Sequence, residues 1–272
     1  MPHAEVNGQR LYYEVHGEGD PLVIVMGLSG DLLAWAPQIP EFAKSYQVIA
    51  VENRDVGRSS YADAPYEIGD MADDTLALVD ELGVDGFHLL GVSMGGAISQ
   101  HIALKAPERV RTLTLGVTWA GGGRYMQERS RLLGEQYRRM SREEQVEYLM
   151  LEGMSEKFYE DADTVAWLKR MMLSNPNPQD THGFVRQLDA CGRHDVRDRL
   201  GELSMPVHVI GAGHDLMVPP WKSTELAERI PGAKLTMLEG APHLVNIEDA
   251  GTFNASVLQF LAEHAGSPAA QA

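Results

Sequence analysis

This sequence has very little cysteine, and it lacks long apolar runs and a leader-like N-terminus. Its 272 residues contain one cysteine, Cys191, so no disulfide can form within the chain, and a reducing compartment is expected. The first ten residues, MPHAEVNGQR, lack the basic stretch and the apolar run of a secretory signal. No apolar run approaches the roughly 18 residues that a membrane span needs. These absences predict a cytoplasmic protein without a membrane partner.

Positive charge is also scarce. Lys and Arg number 23 against 39 Asp and Glu, for a formal net charge of −16, so the phosphates of nucleic acids would be repelled. The sequence has no HExxH, no CxxC pair, no P-loop and no GxGxxG after a strand, which predicts no metal, nucleotide or redox cofactor. A small molecule is therefore the expected partner, and the alternatives of a monomer and a homodimer stay open.

What the sequence does contain is a regular alternation of strand-like and helix-like stretches. Asn7-Gly8 separates two strand-like runs, as in a two-residue hairpin turn. Apolar runs typical of buried strands then alternate with helical stretches from PLVIVMG to VRTLTLGVT, and again from PVHVIGAG to the last helix. This alternation predicts an α/β fold, a mostly parallel eight-stranded sheet with helices on both faces. Its site is expected at the carboxyl ends of the strands.

The alternation is interrupted after the sixth strand. From about residue 120 the stretches are helical in character, and this part is nearly neutral in charge while the rest carries the negative excess. We call residues 120–203 the inserted segment and expect it to form a helical cap, or lid, over the carboxyl edge of the sheet. Residues 1–119 and 204–265 are then the α/β core, and residues 266–272 are expected to be a disordered tail.

The stretch LLGVSMGGAIS, residues 89–99, places Ser93 between glycines where a predicted strand meets a predicted helix. A strand that turns directly into a helix has a strained backbone at the bend, and Gly91 and Gly95 relieve the clashes there. The serine hydroxyl then stands at the top of the sheet, beside the N-terminus of the helix. This pattern predicts a nucleophile elbow; the alternative is a glycine-rich turn with a solvated serine.

A serine needs a base, and the base needs an orienting acid, before the hydroxyl becomes a nucleophile. Asp215 follows the strand PVHVIGAG and His243 follows the next strand, so both are expected at the same edge of the sheet as Ser93. We predict a triad of Ser93, Asp215 and His243. The alternatives are a turn-forming role for Asp215, a structural role for His243, and His214, the neighbour of the acid, as the base.

The tetrahedral intermediate of acyl transfer needs hydrogen-bond donors for its oxyanion. One donor is expected to be the backbone N–H of Met94, directly after the nucleophile. The second is expected from the loop in VMGLSG, after the first parallel strand, with Leu28 as the donor and Gly27 as the alternative.

The chain resembles the α/β-hydrolase superfamily over nearly its whole length. The matching stretches are MGLSGDLLAWAPQIPEF, VENRDVGRSS, DGFHLLGVSMGGAISQHIALKAPERV, PVHVIGAGHDLMVPP and EGAPHLVNIED. Within the superfamily it looks like the branch of 3-oxoadipate enol-lactonase-like proteins and small carboxylesterases. The resemblance implies that Ser93 is the nucleophile, Asp215 the acid and His243 the base.

Two stretches depart from the superfamily pattern. Met26-Gly27 stands where His-Gly is usual, and ENRDVGRS stands where D-x-R-G-x-G-x-S is usual, with Glu52 and Asp55 substituted. Neither departure removes a triad member. The resemblance also separates the chain from haloalkane dehalogenases and epoxide hydrolases, which have Asp at the elbow, and from dienelactone hydrolases, which have Cys. Ser93 therefore favours acyl transfer to water.

Methionine and aromatic residues are frequent in and around the inserted segment, and such side chains suit an adaptable apolar pocket. The predicted pocket residues are Trp119, Tyr125, Met126, Met154, Trp167 and Leu216. The alternative is that they only pack the helices against one another.

These patterns together predict a cofactor-free serine hydrolase, a carboxylesterase or lactonase that cleaves a carboxylic ester or lactone through an acyl-enzyme. Two alternatives stay open. The same triad also suits C–C bond hydrolysis or perhydrolysis, and a ligand-sensing receptor is able to keep the hydrolase fold without turnover.

Overall fold

The structure, a computed structural model, describes residues 2–266 and contains one sheet. Its strands are β1 His3–Val6, β2 Gln9–His16, β3 Asp20–Val25, β4 Tyr46–Val51, β5 Phe87–Val92, β6 Val110–Gly116, β7 Val207–Ala212 and β8 Lys234–Leu238. They lie in the order β1-β2-β4-β3-β5-β6-β7-β8. The β1–β2 and β2–β4 pairs are antiparallel and the other pairs are parallel. The predicted mostly parallel, eight-stranded sheet is confirmed.

The hairpin at the N-terminus turns at Asn7 and Gly8, as the sequence predicts. Both residues have positive φ angles, 49° and 75°, which is the conformation of a two-residue turn that matches the twist of the flanking strands. The antiparallel strands of the hairpin lie at one edge of the sheet. Strand β5 lies in the interior of the sheet, between β3 and β6.

The helices within residues 2–266 are short. They are α1 Ile39–Phe42, α2 Ile68–Glu81, α3 Met94–Lys105, α4 Gly123–Tyr137, α5 Arg142–Gly153, α6 Glu156–Tyr159, α7 Ala162–Leu173, α8 Thr181–Arg193, α9 Trp221–Arg229, α10 Val245–Glu248 and α11 Ala250–Glu263. Each of them is too short or too polar to cross a membrane. The tail that the sequence predicts to be disordered lies outside the described residues, apart from Gly266.

The side chains of the parallel strands divide between two hydrophobic clusters, one on each face of the sheet. Along β3, Val23 and Val25 belong to one cluster, whereas Leu22 and Ile24 belong to the other, because successive side chains of a strand point to opposite faces. Helices α2 and α3 contribute to the first cluster, and α1 and α11 to the second. Burial on both faces explains the unbroken apolar runs of these strands.

Helix α2 begins at Ile68 and is supported at its N-terminus by an acidic side chain. Asp70 Oδ2 accepts a hydrogen bond of 2.7 Å from the backbone N–H of Glu67, the residue that precedes the helix. This bond gives a partner to an N–H group at the start of the helix.

Helices α4 to α8 make up most of the inserted segment, and the two ends of the segment meet. Gly121 forms an isolated antiparallel bridge with Asp195, and the N–H of Val196 donates to the carbonyl of Ala120 at 2.8 Å. The chain therefore leaves the core and returns to it at one place. The helical character of the segment agrees with the sequence, and its division from the core as a separate cap remains a prediction.

Candidate active site

Ser93 occupies the turn between β5 and α3 and has a strained backbone. Its φ and ψ angles are 55° and −121°, a conformation that a residue with a side chain keeps only where the surrounding structure enforces it. A Cβ built on Gly95 would lie 2.0 Å from the carbonyl oxygen of Val25, and a Cβ on Gly91 would lie 2.2 Å from that of Gly95. The close approach of the backbone therefore requires glycine at both positions, as the sequence predicts.

Two hydrogen bonds hold Ser93 in this conformation. Its N–H donates to the carbonyl of Gly116 at 2.9 Å, and Thr118 Oγ1 donates to the carbonyl oxygen of Ser93 at 2.7 Å. Both partners come from the end of β6 and the turn after it, beside β5 in the sheet. Sequence reasoning missed Thr118, because a threonine that follows a strand carries no recognisable motif.

His243 lies within hydrogen-bond distance of both Ser93 and Asp215. Its Nε2 is 3.0 Å from Ser93 Oγ, and its Nδ1 is 2.7 Å from Asp215 Oδ2. His243 and Asp215 are buried, and Ser93 is partly exposed. The three residues that the sequence singles out therefore lie together beyond the carboxyl ends of β5, β7 and β8.

The carboxylate of Asp215 is oriented by the backbone of its own loop. Its Oδ1 accepts hydrogen bonds from the N–H groups of Met217 (2.8 Å) and Val218 (2.7 Å), which leaves Oδ2 to face His243. This arrangement favours the tautomer in which Nδ1 carries the proton and Nε2 is free to accept one. His214, the alternative base, is exposed, and the position beside the serine is filled by His243 instead.

The loop after β3, residues 26–30, passes directly beside Ser93. A Cβ built on Gly27 would lie 2.9 Å from Ser93 Cβ and 3.4 Å from Ser93 Oγ. Asn53 Nδ2 donates to the carbonyl of Met26 at 3.0 Å, which holds the beginning of the loop. A side chain larger than that of glycine at position 27 would displace the serine.

The backbone N–H groups of Leu28 and Met94 have no acceptor within residues 2–266. Leu28 lies in the loop beside Ser93 and Met94 directly follows it, and unpaired N–H groups at such positions are suited to bind an oxygen that becomes negatively charged. The structure therefore leaves both predicted donors available, and it places Gly27, the alternative donor, in the same loop.

The two substituted residues of ENRDVGRS are buried loop anchors. Arg58 Nη2 donates a hydrogen bond of 2.6 Å to Glu52 Oε1. Asp55 is fully buried and accepts two hydrogen bonds, of 2.7 and 2.8 Å, from Arg186 of α8, and one of 2.7 Å from the hydroxyl of Tyr66. Burial, together with the neighbouring Asp55 carboxylate, raises the pKa of Tyr66, so this hydroxyl stays protonated and remains a donor.

A cavity of about 410 Å³ opens beside the Asp215 loop. Its wall includes Trp119, Tyr125, Met126, Met217, Val218 and Trp221, so three of the predicted pocket residues line it. Met154 is buried elsewhere, while Trp167 and Leu216 lie outside the wall with more than half of their surface exposed. Ser93 is not among the residues of the cavity wall, which includes Val218, a donor to Asp215.

Metal ligands and alternative nucleophiles do not gather at this site. Within residues 2–266, no three His, Cys, Asp or Glu side chains come close enough to hold a metal ion. Cys191 is buried in α8, and burial raises the pKa of its thiol to about 12. A thiol in this state is unreactive, so Ser93 is the nucleophile candidate.

Known proteins resemble this chain along nearly its whole length. A family profile described as alpha/beta hydrolase fold matches residues 20–250. A protein of Azorhizobium caulinodans, provisionally named carbamate hydrolase RutD, is 31% identical and aligns over 97% of this chain and 99% of its own length. The crystal structure of the enol-lactonase from Burkholderia xenovorans LB400 has a TM-score of 0.86 at 27% identity and covers 96% of this chain and 100% of its own.

A further solved structure agrees with these two. The Mycobacterium tuberculosis H37Rv protein provisionally named non-heme bromoperoxidase BpoC has a TM-score of 0.85 at 29% identity, and the match covers 93% of this chain and 96% of that one. The family profile spans the positions of Ser93, Asp215 and His243. This chain belongs to the α/β-hydrolase family.

Proposed function

We propose that the chain is a serine hydrolase that cleaves a carboxylic ester or lactone through an acyl-enzyme. One observation carries the proposal: Ser93 Oγ lies 3.0 Å from His243 Nε2, and His243 Nδ1 lies 2.7 Å from Asp215 Oδ2. A serine hydroxyl is a poor nucleophile until a base within hydrogen-bond reach takes its proton. An imidazole oriented by a buried carboxylate meets that requirement.

In the acylation step, Ser93 Oγ attacks the carbonyl carbon of the substrate while its proton passes to His243 Nε2. The electron pair of the carbonyl moves to oxygen, and the resulting oxyanion is bound by the N–H groups of Leu28 and Met94, with Gly27 as the alternative donor. Each such donor stabilises the transition state by about 3 kcal/mol in enzymes where one has been removed. The tetrahedral intermediate then collapses, and the leaving alkoxide takes the proton from His243.

Water completes the cycle. His243 takes a proton from a water molecule, the hydroxide attacks the acyl carbon, and the second oxyanion occupies the same N–H groups. Collapse releases the acid and returns the proton from the imidazole to Ser93 Oγ. Asp215 stabilises the imidazolium in both halves of the reaction without taking its proton. In this proposal the residues of the chain and one water molecule supply every step.

The cavity beside the Asp215 loop is proposed to receive the apolar part of the substrate. Trp119, Tyr125 and Met126 give it a mostly apolar wall, which suits an apolar acyl or alcohol group. Two of these residues belong to α4, so the inserted segment would act as the lid of the pocket. Met126 adds a flexible side chain that adapts to substrates of different shape.

A carbamate is the second candidate substrate class. The relative from A. caulinodans, with 31% identity over nearly the full length of both chains, carries the name of a carbamate hydrolase. A carbamate offers Ser93 the same kind of carbonyl carbon, with nitrogen on one side of it. The same triad and the same oxyanion donors would serve both reactions, so substrate tests decide between them.

The proposal is tested with the purified protein and a Ser93→Ala control. p-Nitrophenyl acetate, a γ-lactone and an aryl carbamate report ester, lactone and carbamate cleavage, and a vinylogous diketone and peracid formation report the C–C hydrolase and perhydrolase alternatives. We expect multiple turnovers on an ester or a lactone, loss of turnover in S93A, and covalent labelling of Ser93 by a fluorophosphonate. Undiminished turnover in S93A would overturn the proposal. A wild-type protein that neither turns over nor labels would favour a ligand-sensing receptor.

A further inference from the structure

Gln187 connects the inserted segment to the loop beside Ser93. It lies in α8 and is fully buried. Its Oε1 accepts a hydrogen bond of 3.1 Å from the backbone N–H of Ser29, and its Nε2 donates to the carbonyl of Arg54 at 2.8 Å. A buried amide with both ends bonded to loop backbone restricts how that backbone is able to move.

The bond to Ser29 holds the backbone next to the proposed oxyanion donor. The N–H of Leu28 belongs to the peptide between residues 27 and 28, and Ser29 N–H belongs to the next peptide. On the other side, Asn53 Nδ2 holds the carbonyl of Met26 at 3.0 Å. Two side-chain amides therefore hold the peptides on either side of the one that carries the donor.

The conformation of the loop requires such support. Ser29 has a φ angle of 62°, in the left-handed region that a serine seldom adopts without enforcement. A strained loop of this kind would relax if its partner were removed. The N–H of Leu28 would then move away from the position that the oxyanion occupies.

Gln187 is itself held in one orientation. Gln179 Nε2 donates to Gln187 Oε1 at 3.0 Å and to the carbonyl of Asp55 at 2.7 Å. The oxygen of the Gln187 amide thus faces two donors, and its nitrogen faces a carbonyl. A flip of the amide would place its nitrogen against two N–H donors and its oxygen against a carbonyl oxygen.

We propose that Gln187 is a positioning residue for the oxyanion hole, acting through Ser29 on the N–H of Leu28 without touching the substrate. This inference rests on the proposed serine hydrolase function. It makes the inserted segment part of the catalytic geometry, since a residue of α8 determines where a donor in the core loop lies. Loss of the bond should therefore affect the chemical step more than substrate binding.

The test compares Gln187→Met with Gln145→Met. Gln145 is a buried glutamine of the same segment, and its Nε2 donates to groups of that segment, Tyr137, Met140 and Thr181, without a bond to the core among the described residues. In Q187M we expect kcat/KM on an ester to fall about tenfold to a hundredfold through kcat, with KM within about threefold of wild type, because displaced oxyanion donors cost rate and not ground-state binding. In Q145M both constants should stay near those of wild type.

An inhibitor that forms an oxyanion on the serine gives a second readout. The affinity of a trifluoromethyl ketone, which adds to Ser93 as a hemiketal, should fall in Q187M by the same factor as kcat/KM, and in Q145M it should not fall. A purely structural role would lower the unfolding midpoint without this parallel loss. Equal kinetics of Q187M and Q145M, or a loss confined to KM, would overturn the proposal.

Gln187→Glu guards against a variant that fails to fold. Glutamate keeps an oxygen acceptor for Ser29 N–H but places a second, charged oxygen where the amide donates to Arg54, so a smaller loss of kcat than in Q187M supports the assigned contact to Ser29. Two results with Q187E count against the assigned contact. One is a loss of kcat that equals or exceeds the loss in a folded Q187M. The other is a wild-type kcat in Q187E when Q187M does not fold. If wild type itself neither turns over esters nor labels at Ser93, the proposed function fails and this inference falls with it, an outcome distinct from any result with the variants.

Discussion

The backbone N–H of Leu244 donates a hydrogen bond of 2.8 Å to the carbonyl oxygen of Gly153. Leu244 directly follows His243, and Gly153 ends α5 of the inserted segment. The approach is close, since a Cβ built on Gly153 would lie 2.7 Å from Leu244 Cδ1. The inserted segment is thereby joined to the loop that carries the imidazole.

Two further hydrogen bonds, each made by a side chain of the inserted segment, reach the other loops of the site. Arg129 of α4 donates to the carbonyl of Met217 at 2.7 Å, two residues beyond Asp215, and Gln187 of α8 accepts from Ser29 N–H. The inserted segment is therefore hydrogen-bonded to the loops that follow β3, β7 and β8. Contacts of this kind couple its packing to the geometry of the site.

Asp215→Asn is expected to lower kcat by about three to four orders of magnitude, because an amide does not stabilise the imidazolium and favours the wrong tautomer of His243. The backbone bonds from Met217 and Val218 to the remaining oxygen should keep the loop folded. Steady-state kinetics on an ester measure the effect, and a thermal unfolding midpoint near that of wild type shows that the fold is intact. Retention of more than a tenth of the wild-type kcat would contradict the assigned role.

Gly95→Ala is expected to destabilise the protein by more than about 3 kcal/mol, because the added Cβ meets a backbone carbonyl that has no room to move. That atom, the oxygen of Val25, would lie 2.0 Å away. Gly251→Ala is the matched control, since nothing lies within 4 Å of a Cβ at this position of α11, and alanine in a helix should add about 0.5–1 kcal/mol of stability. Urea unfolding compares the two variants, and equal stabilities would refute the steric explanation of the elbow.

The parts of the site that lie in short local patterns could be predicted from the sequence. Ser93 is marked by glycines two residues away on each side, and Asp215 and His243 each follow a strand that the apolar pattern makes visible. The carboxyl ends of parallel strands meet at one edge of the sheet, so the three positions could be placed together without coordinates.

The supporting contacts could not be predicted, because they join residues that are distant in the sequence and carry no motif. Gln187 and Ser29 are 158 positions apart, and a glutamine on a helix gives no sign of its partner. Thr118 and Asn53 were missed for the same reason. Trp167 was a pocket candidate by its type alone, yet it lies exposed on α7, because the face that a helix buries depends on tertiary packing.

Arg186→Met is expected to destabilise the protein by about 3 kcal/mol, because it leaves a buried carboxylate without its cation. Asp55 has no surface exposure, and its φ of 68° suits asparagine, so the double variant D55N/R186M should recover part of the loss. Arg131→Met is the control, since Arg131 also makes two hydrogen bonds to carboxylate oxygens, those of Glu128 and Glu135, but on an exposed face of α4, and the unfolding midpoint should not change. A double variant less stable than R186M in urea would argue against a charge effect.

Stability is expected to fall as the pH is lowered from about 6.5 towards 4. Burial lowers the pKa of His194 to about 3 and that of His208 to about 4, from an ordinary value of 6.5. Below pH 6.5 the unfolded chain therefore binds protons that the folded chain does not, and each such histidine removes up to about 1.4 kcal/mol of stability per pH unit. The free energy of unfolding in urea at several pH values measures the slope. His208→Gln, which keeps a polar side chain beside Thr236, should give a shallower slope, and an unchanged slope would contradict the assignment.

Cys191 is expected not to react with thiol reagents in the folded protein. It packs in the core cluster on α8, and burial raises its pKa to about 12, so both access and thiolate are lacking at neutral pH. A chromogenic disulfide reagent should label no thiol in the native protein and one thiol per chain in concentrated guanidinium chloride. Cys191 lies one helical turn beyond Gln187, so labelling in mild urea reports how readily α8 separates from the core. Labelling of the native protein at the rate of the unfolded control would show that α8 does not pack as described.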